Sequence, residues 1–158
     1  QDSALALADR VVVLEPGDRG GRVIQDASSL EVYSRPANAS VAQLTGSVVM
    51  LPAQASGATA ASDLGEVDLV EELHGPVLLL LRPEQLAFQP SPEGSIRVSE
   101  VQFRGAHYHL RCRAVHGVLD TLVPTNSSAI PTEGDAGELV VNGPVWAIHN
   151  GLTEAQDP

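Results

Sequence analysis

The pattern that most restricts the fold begins at Ser47, where short β-branched and apolar runs alternate with Gly, Pro, Asn and Asp every few residues. Such runs are too short for independent helices, and the residues between them favour turns. The pattern is typical of a small antiparallel β-barrel or sandwich, so we expect a mainly β fold. The predicted strands lie near 47–51, 58–61, 66–70, 76–81, 96–104, 107–115, 118–123, 138–142 and 144–149, and the turn-rich segment 89–94 predicts a loop.

Two of these strands differ in their predicted burial. Leu78 to Leu81 is continuously apolar, which predicts a strand buried on both faces. In 107–115 apolar residues alternate with His109, Arg111 and Arg113, which predicts a strand with one solvent-facing side.

The first 45 residues have a different character, that of a short α/β unit. Residues 3–9 are good helix formers that resemble the end of a longer helix. The β-prone runs 11–14 and 21–25, separated by a Pro- and Gly-containing segment, predict a hairpin. Two short helices should follow, one capped by Ser28 or Ser29 and ending at Tyr33, the other over 39–44 and ending at Gly46.

Charge and composition restrict the function. The chain has a formal charge of −11, and all nine of its basic residues are Arg. A strongly acidic chain repels a phosphate backbone, so we expect no nucleic-acid partner. Because a P-loop needs a Lys to reach the nucleotide phosphates, the chain cannot contain an intact one.

The single cysteine, the apolar runs and the first residue indicate where the protein is located and whether the chain is complete. The single Cys112 cannot form an internal disulfide, which favours a cytoplasmic setting. The longest apolar run, Val77 to Leu81, is far shorter than the roughly 20 residues of a membrane-spanning helix. Because the chain starts at Gln1 and not at Met, we expect further sequence upstream.

Several polar groups are candidate sites. His107 and His109 leave the same face of a strand and, with His116, could bind a transition metal, but the exposed-histidine alternative fits better without a thiolate or a dedicated ligand spacing. The acid pairs Glu71-Glu72 and Glu133-Asp135 are better explained as solvated loop charges than as catalytic acids.

A strand-end trio, Arg82-Pro83-Glu84, has two interpretations. The opposite charges could be paired across a turn or an interface, or they could be solvated charges at the end of a strand. Aromatic residues are scarce, and Tyr33 and Trp146 should therefore contribute heavily to core packing or, as the second interpretation, anchor an interface.

The N-terminal motifs resemble a known family. Leu5 to Leu14 (LALADRVVVL) is similar to the segment that follows the switch histidine of ABC ATPases. Gly21 to Gln25 (GRVIQ) and Glu31 to Asn38 (EVYSRPAN) resemble the strand and the helix-and-turn that come next in that family. The Walker A, signature, Walker B and switch-histidine elements are missing from this chain.

The downstream motifs resemble the TOBE domain of importers for spermidine, sugars, sulfate and ferric iron. Leu81 to Leu86 (LRPEQL) is similar to the domain's RPE element, and Val101 to Tyr108 (VQFRGAHY) to its strand and turn. Val49 to Pro52 (VMLP) looks most like the iron-type branch.

The resemblance implies a division of the chain into three parts. Residues 1–45 would be the C-terminal edge of an incomplete ABC nucleotide-binding domain, 46–150 an OB-like TOBE β-barrel, and 151–158 a tail. The chain would then be a regulatory and dimer-stabilising module without catalytic, cofactor-binding or metal-binding residues of its own. Its candidate regulatory or interface residues are Arg82, Glu84, Phe103, Arg104, Tyr108 and Trp146.

Partners and cofactors follow from the same resemblance. ATP and magnesium would be bound by a longer parent protein, a transport ATPase that lies on the cytoplasmic side of the inner membrane and binds membrane permease subunits. We expect a homodimer, with strand exchange between its copies as one form of it. One alternative is an oxyanion-binding module of the molybdate type, with an Arg or Ser at a dimer interface; another is an iron-responsive site on the His107 and His109 face.

Overall fold

A computed structural model describes residues 8–115 and 117–150 of the chain. The predictions for residues 3–7, His116 and the tail at 151–158 therefore fall outside the described residues. The elements, in chain order, are β1 (Arg10–Gly17), β2 (Gly20–Ser28), α1 (Ser29–Ser34), α2 (Ala39–Thr45), β3 (Val49–Ser62), β4 (Gly65–Leu81), a 3₁₀ turn (Pro83–Gln85), β5 (Leu86–Pro90), β6 (Ile96–Phe103), β7 (His107–Ala114), β8 (Gly117–Pro124), β9 (Ala136–Val141) and β10 (Trp146–His149).

The N-terminal α/β unit is close to its prediction. β1 and β2 form an antiparallel hairpin, and α1 and α2 follow it. The side chains of Ser28 and Asn38 cap the two helices by accepting hydrogen bonds from the backbone N–H groups of Glu31 and Val41. A small cluster of buried side chains joins the hairpin to the helices: Val13, Val32 and Val41, with Val11, Ile24 and Ala27 at its margin.

Strands β3 and β4 form one long antiparallel hairpin, and this corrects the prediction of four short strands near 47–51, 58–61, 66–70 and 76–81. Pro52 does not interrupt β3, because β3 is an edge strand and a proline there leaves no ladder bond unmade. Gly57 lies where the register shifts and adopts φ +74°. A glycine tolerates that backbone angle, so the strand bends and continues.

The remaining strands form two further antiparallel arrangements. β10 pairs with β4 on the side opposite β3, and β5, β9, β6, β7 and β8 form a five-stranded sheet in that order. β5 was not predicted, because Gln89 and Pro90 suggested a loop; Pro90 lies at the end of the strand, where the sheet edge tolerates it.

The five-stranded sheet is not closed by a ladder of backbone hydrogen bonds. β5 nevertheless lies beside β8, where the hydroxyl of Thr121 donates a hydrogen bond to the carbonyl oxygen of Leu86. The mainly β, antiparallel and OB-like fold class is therefore confirmed, with open sheets where a barrel was expected.

The main core lies between the three-stranded and five-stranded sheets. Leu79 and Leu81 are fully buried and Leu80 nearly so, as the continuous apolar run predicted, because β4 is the central strand between β3 and β10. Leu78, the first residue of the predicted run, is only partly buried. The alternation along β7 is also confirmed: Leu110 and Cys112 are buried, whereas Arg111 and Arg113 are exposed. The helices within residues 8–115 and 117–150 are all too short or too polar to cross a bilayer.

Candidate functional site

Arg82 lies where β4 ends and the polypeptide turns toward β5. Pro83 fixes the backbone at the start of the 3₁₀ turn, and the turn closes on itself: the backbone N–H of Gln85 donates to the carbonyl of Arg82, and the N–H of Arg82 donates to Oε1 of Gln85. The side chain of Arg82 is thereby directed away from the sheet and toward the N-terminal helices. Only 6% of this residue is exposed.

The guanidinium of Arg82 binds four oxygen acceptors that precede strand β3 in the chain. Nη1 donates to the carbonyl oxygens of Ala42 and Ser47, both at 3.0 Å. Nη2 donates to the carbonyl of Tyr33 and to Oγ1 of Thr45, both at 2.8 Å. A guanidinium suits this role because its donors form a rigid planar fork that lysine does not have.

Burial has an electrostatic consequence for this group. Desolvation lowers the pKa of Arg82 below its usual range, and the nearby Tyr33 and Glu84 oppose that shift. Since arginine keeps its proton throughout the ordinary pH range, the group remains a buried cation. The surrounding oxygen acceptors stabilise its charge through hydrogen bonds.

Tyr33 connects Arg82 to Glu84. The tyrosine ring lies under the guanidinium, with 4.0 Å between the guanidinium carbon and the ring centroid, a cation–π contact. The phenol hydroxyl donates a hydrogen bond of 2.6 Å to Oε1 of Glu84. The two charges of the strand-end trio are thus neither a direct ion pair among the described residues nor simply solvated, because Tyr33 bridges them.

Trp146 makes a second connection across the same boundary. Its indole N–H donates to the carbonyl oxygen of Pro36 at 2.9 Å, and the guanidinium of Arg35 lies 5.8 Å from its ring centroid. Arg35 in turn lies 3.9 Å from a carboxylate oxygen of Glu71 on β4. We call the contacts of Arg82, Tyr33, Glu84 and Trp146 the Arg82 junction.

The other predicted residues lie outside this junction. Phe103 and Tyr108 are opposite each other on β6 and β7, with ring centroids 5.5 Å apart, and Phe103 is 66% exposed. Arg104 follows β6 and donates to the amide oxygen of Gln102 at 2.7 Å. Of these three, only Arg104 shares a cleft with Glu84.

That cleft lies between the Arg82 junction and the outer face of β7 and β8, with a volume of about 590 Å³. His107 and His109 line it, as the shared strand face predicted. Over residues 8–115 and 117–150 no group of three or more His, Cys, Asp or Glu side chains is arranged to hold a metal ion, so the iron-responsive hypothesis gains no support there.

Sequence reasoning missed most of the acceptors at the junction. Ala42, Ser47 and Pro36 contribute backbone carbonyl oxygens, which every residue type carries and no motif reveals. Thr45 offered a weak signal, since a threonine in the last turn of a helix can bond to preceding carbonyls; its hydroxyl does so with Val41 and Ala42.

Comparison with known proteins finds a domain that matches the segment containing Arg82 and the strands after it. A profile of the TOBE domain matches residues 79–144, which include Arg82, the 3₁₀ turn and strands β5 to β9. The chain is 42% identical over 87 residues to the Fe(3+) ions import ATP-binding protein FbpC of Pseudomonas fluorescens, an alignment of 54% of this chain and 23% of that protein.

Two further relatives extend the match. The Fe(3+) ions import ATP-binding protein FbpC of Streptomyces coelicolor is 35% identical over 151 residues, or 90% of this chain and 42% of that protein. The sulfate/thiosulfate import ATP-binding protein CysA 2 of Chromobacterium violaceum is 36% identical over 121 residues, 72% of this chain and 32% of its own length. The chain thus spans less than half the length of these relatives.

Proposed function

We propose, since this chain belongs to the TOBE-containing family of ABC importer ATP-binding subunits and matches their C-terminal part, that it forms the regulatory end of such a subunit. In this proposal residues 1–45 are the edge of the nucleotide-binding domain, 46–150 the TOBE domain and 151–158 a tail.

The Arg82 junction is the observation that carries the proposal. A fixed contact between a regulatory domain and an ATPase lets a change in one of them favour a particular orientation of the other. Here one buried cation from the TOBE sheet binds three oxygens of residues 1–45 and the carbonyl oxygen of Ser47 just beyond them, and Trp146 adds a fourth hydrogen bond to residues 1–45. These contacts fix the relative orientation of the two parts.

Catalysis belongs to another part of the parent protein in this proposal. The chain contains no Lys, so it has no P-loop, and ATP and magnesium are bound upstream. The parent is a transport ATPase that binds membrane permease subunits from the cytoplasmic side of the inner membrane. Ferric iron is the favoured solute, because seven relatives are named Fe(3+) ions import ATP-binding proteins.

One experiment tests the regulatory role directly. ATP hydrolysis would be measured for the 158-residue chain and for the full-length protein with its permease, the latter also as Arg82→Met and as the control Arg97→Met. We expect no hydrolysis by the short chain. Arg82→Met should leave nucleotide affinity unchanged but alter permease-stimulated hydrolysis, whereas Arg97→Met should behave as the original protein.

Two outcomes would contradict the proposal. Hydrolysis by the 158-residue chain would show that it has a catalytic site. Unaltered permease-stimulated hydrolysis in the Arg82→Met protein would show that the contacts of Arg82 do not transmit regulation. Uptake of radiolabelled ferric ion and of sulfate by cells with and without the parent gene would separate the two solutes that the relatives' names suggest.

The homodimer is a further part of the proposal. β3 and β8 are edge strands, and Met50, Phe103, Val115 and Val118 are large apolar side chains exposed on the sheets or their turns. Unpaired edges and exposed apolar groups favour association with a second copy. Light scattering of the full-length protein should give twice the mass of one chain, and a monomer over the micromolar range would refute this part.

A further inference from the structure

The turn that leads from β9 to β10 contains an asparagine followed by a glycine, Asn142-Gly143. Both residues are exposed, and Gly143 adopts φ +75° with nothing within 4 Å of the position that a Cβ would occupy. A glycine has no side chain to hinder approach to its nitrogen, and it changes its backbone angles more freely than any other residue. The side-chain carbonyl carbon of Asn142 is therefore sterically accessible to the backbone nitrogen of Gly143.

Neither of these two groups is held by a hydrogen bond. Over residues 8–115 and 117–150, the carboxamide of Asn142 and the backbone N–H of Gly143 both lack a hydrogen-bond partner in the protein. A backbone nitrogen becomes a nucleophile only when it gives up its proton, and a hydrogen bond from its N–H to the protein would first have to be broken. At Gly143 no such bond opposes the reaction.

Two other asparagines are constrained where Asn142 is free. The side-chain oxygen of Asn38 accepts a hydrogen bond of 2.9 Å from the first turn of α2, so its carboxamide is fixed. Asn126 is followed by Ser127, whose backbone N–H donates to the carbonyl oxygen of Pro124 at 3.0 Å. At Asn38 the electrophile is held, and at Asn126 the nucleophile is held.

We propose that Asn142 is a site of spontaneous covalent modification. The nitrogen of Gly143 loses its proton and forms a bond to Cγ of Asn142, and the side-chain nitrogen takes up a proton and leaves as ammonia. Water then opens the cyclic imide at one of its two carbonyl carbons, which gives aspartate or isoaspartate. This chemistry involves only the turn itself and does not depend on the proposed regulatory function.

Gln85 connects the modified turn to the Arg82 junction. Its carbonyl oxygen accepts a hydrogen bond of 2.7 Å from the N–H of Asn142, and its side-chain nitrogen donates to the carbonyl oxygen of Pro144 at 3.3 Å. Isoaspartate adds one carbon to the main chain between these two contacts. Because Gln85 also closes the 3₁₀ turn after Arg82, the added atom should loosen that turn.

Peptide mapping by mass spectrometry measures the reaction. The full-length protein would be incubated at pH 8 in water labelled with heavy oxygen, and then cleaved after Trp146, which separates Asn142 from the second Asn-Gly pair at 150–151. The modified peptide carries an acid in place of the amide, with one heavy oxygen, and its isoaspartate fraction is a substrate for an isoaspartyl methyltransferase.

The expected rates follow from the hydrogen bond at Ser127. We expect Asn142 to react about tenfold faster than Asn126, because one hydrogen bond contributes up to about 1.4 kcal/mol, which is tenfold in rate. Asn142→Gln lengthens the side chain by one carbon, disfavours the five-membered ring and should abolish modification at that position. Asn126→Gln is the matched control and should leave the rate at Asn142 unchanged.

Ser127→Gly separates the effect of the structure from that of the sequence, since Asn126 then also precedes a glycine. In the native protein the backbone N–H at position 127 stays bonded to Pro124, so Asn126 should remain about tenfold slower than Asn142. In denaturing urea that hydrogen bond is absent, and the two asparagines should react at similar rates.

Hydrogen–deuterium exchange measures the effect on the junction. The backbone N–H groups of Arg82 and Gln85 donate the hydrogen bonds that close the 3₁₀ turn, and they should lose protection in the isoaspartate-containing protein. The paired residues Ala61 and Glu66, near the tip of the β3–β4 hairpin, should exchange as before.

Three results would overturn these expectations. Retention of the amide of Asn142 in the native protein, under conditions in which the unfolded protein loses it, would show that the folded turn prevents the reaction. Equal native rates at Asn126 and Asn142 in the Ser127→Gly protein would show that the free nucleophile has no influence. Unchanged exchange at Gln85 would remove the effect on the junction. All three are independent of the ATP hydrolysis test of the proposed function.

Discussion

Replacing Arg82 by Met should break the connection between the TOBE sheet and the N-terminal unit while keeping an unbranched side chain in the space. Four charge-assisted hydrogen bonds are lost. At about 1.5–3 kcal/mol each, they amount to a gross loss of roughly 6–12 kcal/mol. Removing the buried cation also removes its desolvation penalty of several kcal/mol, so we expect a net loss of about 3–5 kcal/mol.

Trp146 provides the assay. It is the single tryptophan of the chain, and its indole bonds to Pro36 at the same boundary, so its fluorescence should report the separation of the two parts. In urea, with a slope of about 2 kcal/mol per molar, a loss of 3 kcal/mol lowers the unfolding midpoint by about 1.5 M. Arg82→Lys should retain part of the network and show about half that shift.

Arg97→Met is the matched control, because Arg97 is exposed on β6 and has no ion pair among the described residues. Its midpoint should stay within about 0.25 M of the original, as surface substitutions usually change stability by less than 0.5 kcal/mol. If Arg82→Met and Arg97→Met unfold at the same urea concentration, the buried network does not stabilise the junction.

Three further predictions use other parts of the molecule. Leu81→Ala should destabilise the chain by about 2–5 kcal/mol in the same urea assay, because the side chain is fully buried in the main core; an effect below 1 kcal/mol would contradict that packing. Tyr33→Phe should cost about 1 kcal/mol by removing the hydrogen bond to Glu84 while keeping the ring, and Tyr108→Phe, the control, should cost less. Burial raises the pKa of Cys112 to about 11, so the folded chain should resist alkylation at pH 8, and stability should fall between about pH 9 and 11, where the unfolded thiol ionises and the folded one does not; rapid alkylation of the native chain would refute this.

Local signals predicted the elements whose causes are local. Ser28 ends a β run and begins a helix because its side chain satisfies a free N–H of the first turn, and that need is the same in any fold. The alternation of apolar and polar residues in β7 also predicted which of its side chains are buried, because side chains on a strand point alternately to core and solvent. The boundaries at 45/46 and 150/151 and the roles of Phe103 and Tyr108 stay predictions.

The strands that were predicted incorrectly have nonlocal causes. Pro52 and Gly57 resemble strand breakers in the sequence, yet both belong to β3, because its position at a sheet edge and a local bulge accommodate them. β5 was missed for a related reason: Pro90 suggested a loop, whereas pairing with β9 makes the segment a strand.

The sequence by itself determined that this chain has no P-loop lysine, that it is mainly β after Ser47, and that Arg82 ends a buried strand at a fixed turn. Only the tertiary structure decided what Arg82 binds. Its partners are mostly backbone carbonyl oxygens from residues about 35 to 49 positions earlier, and these acquire a common direction only when α1 and α2 pack beside the sheet. The sequence determines the charge of a side chain, but folding brings together the acceptors that make its burial favourable.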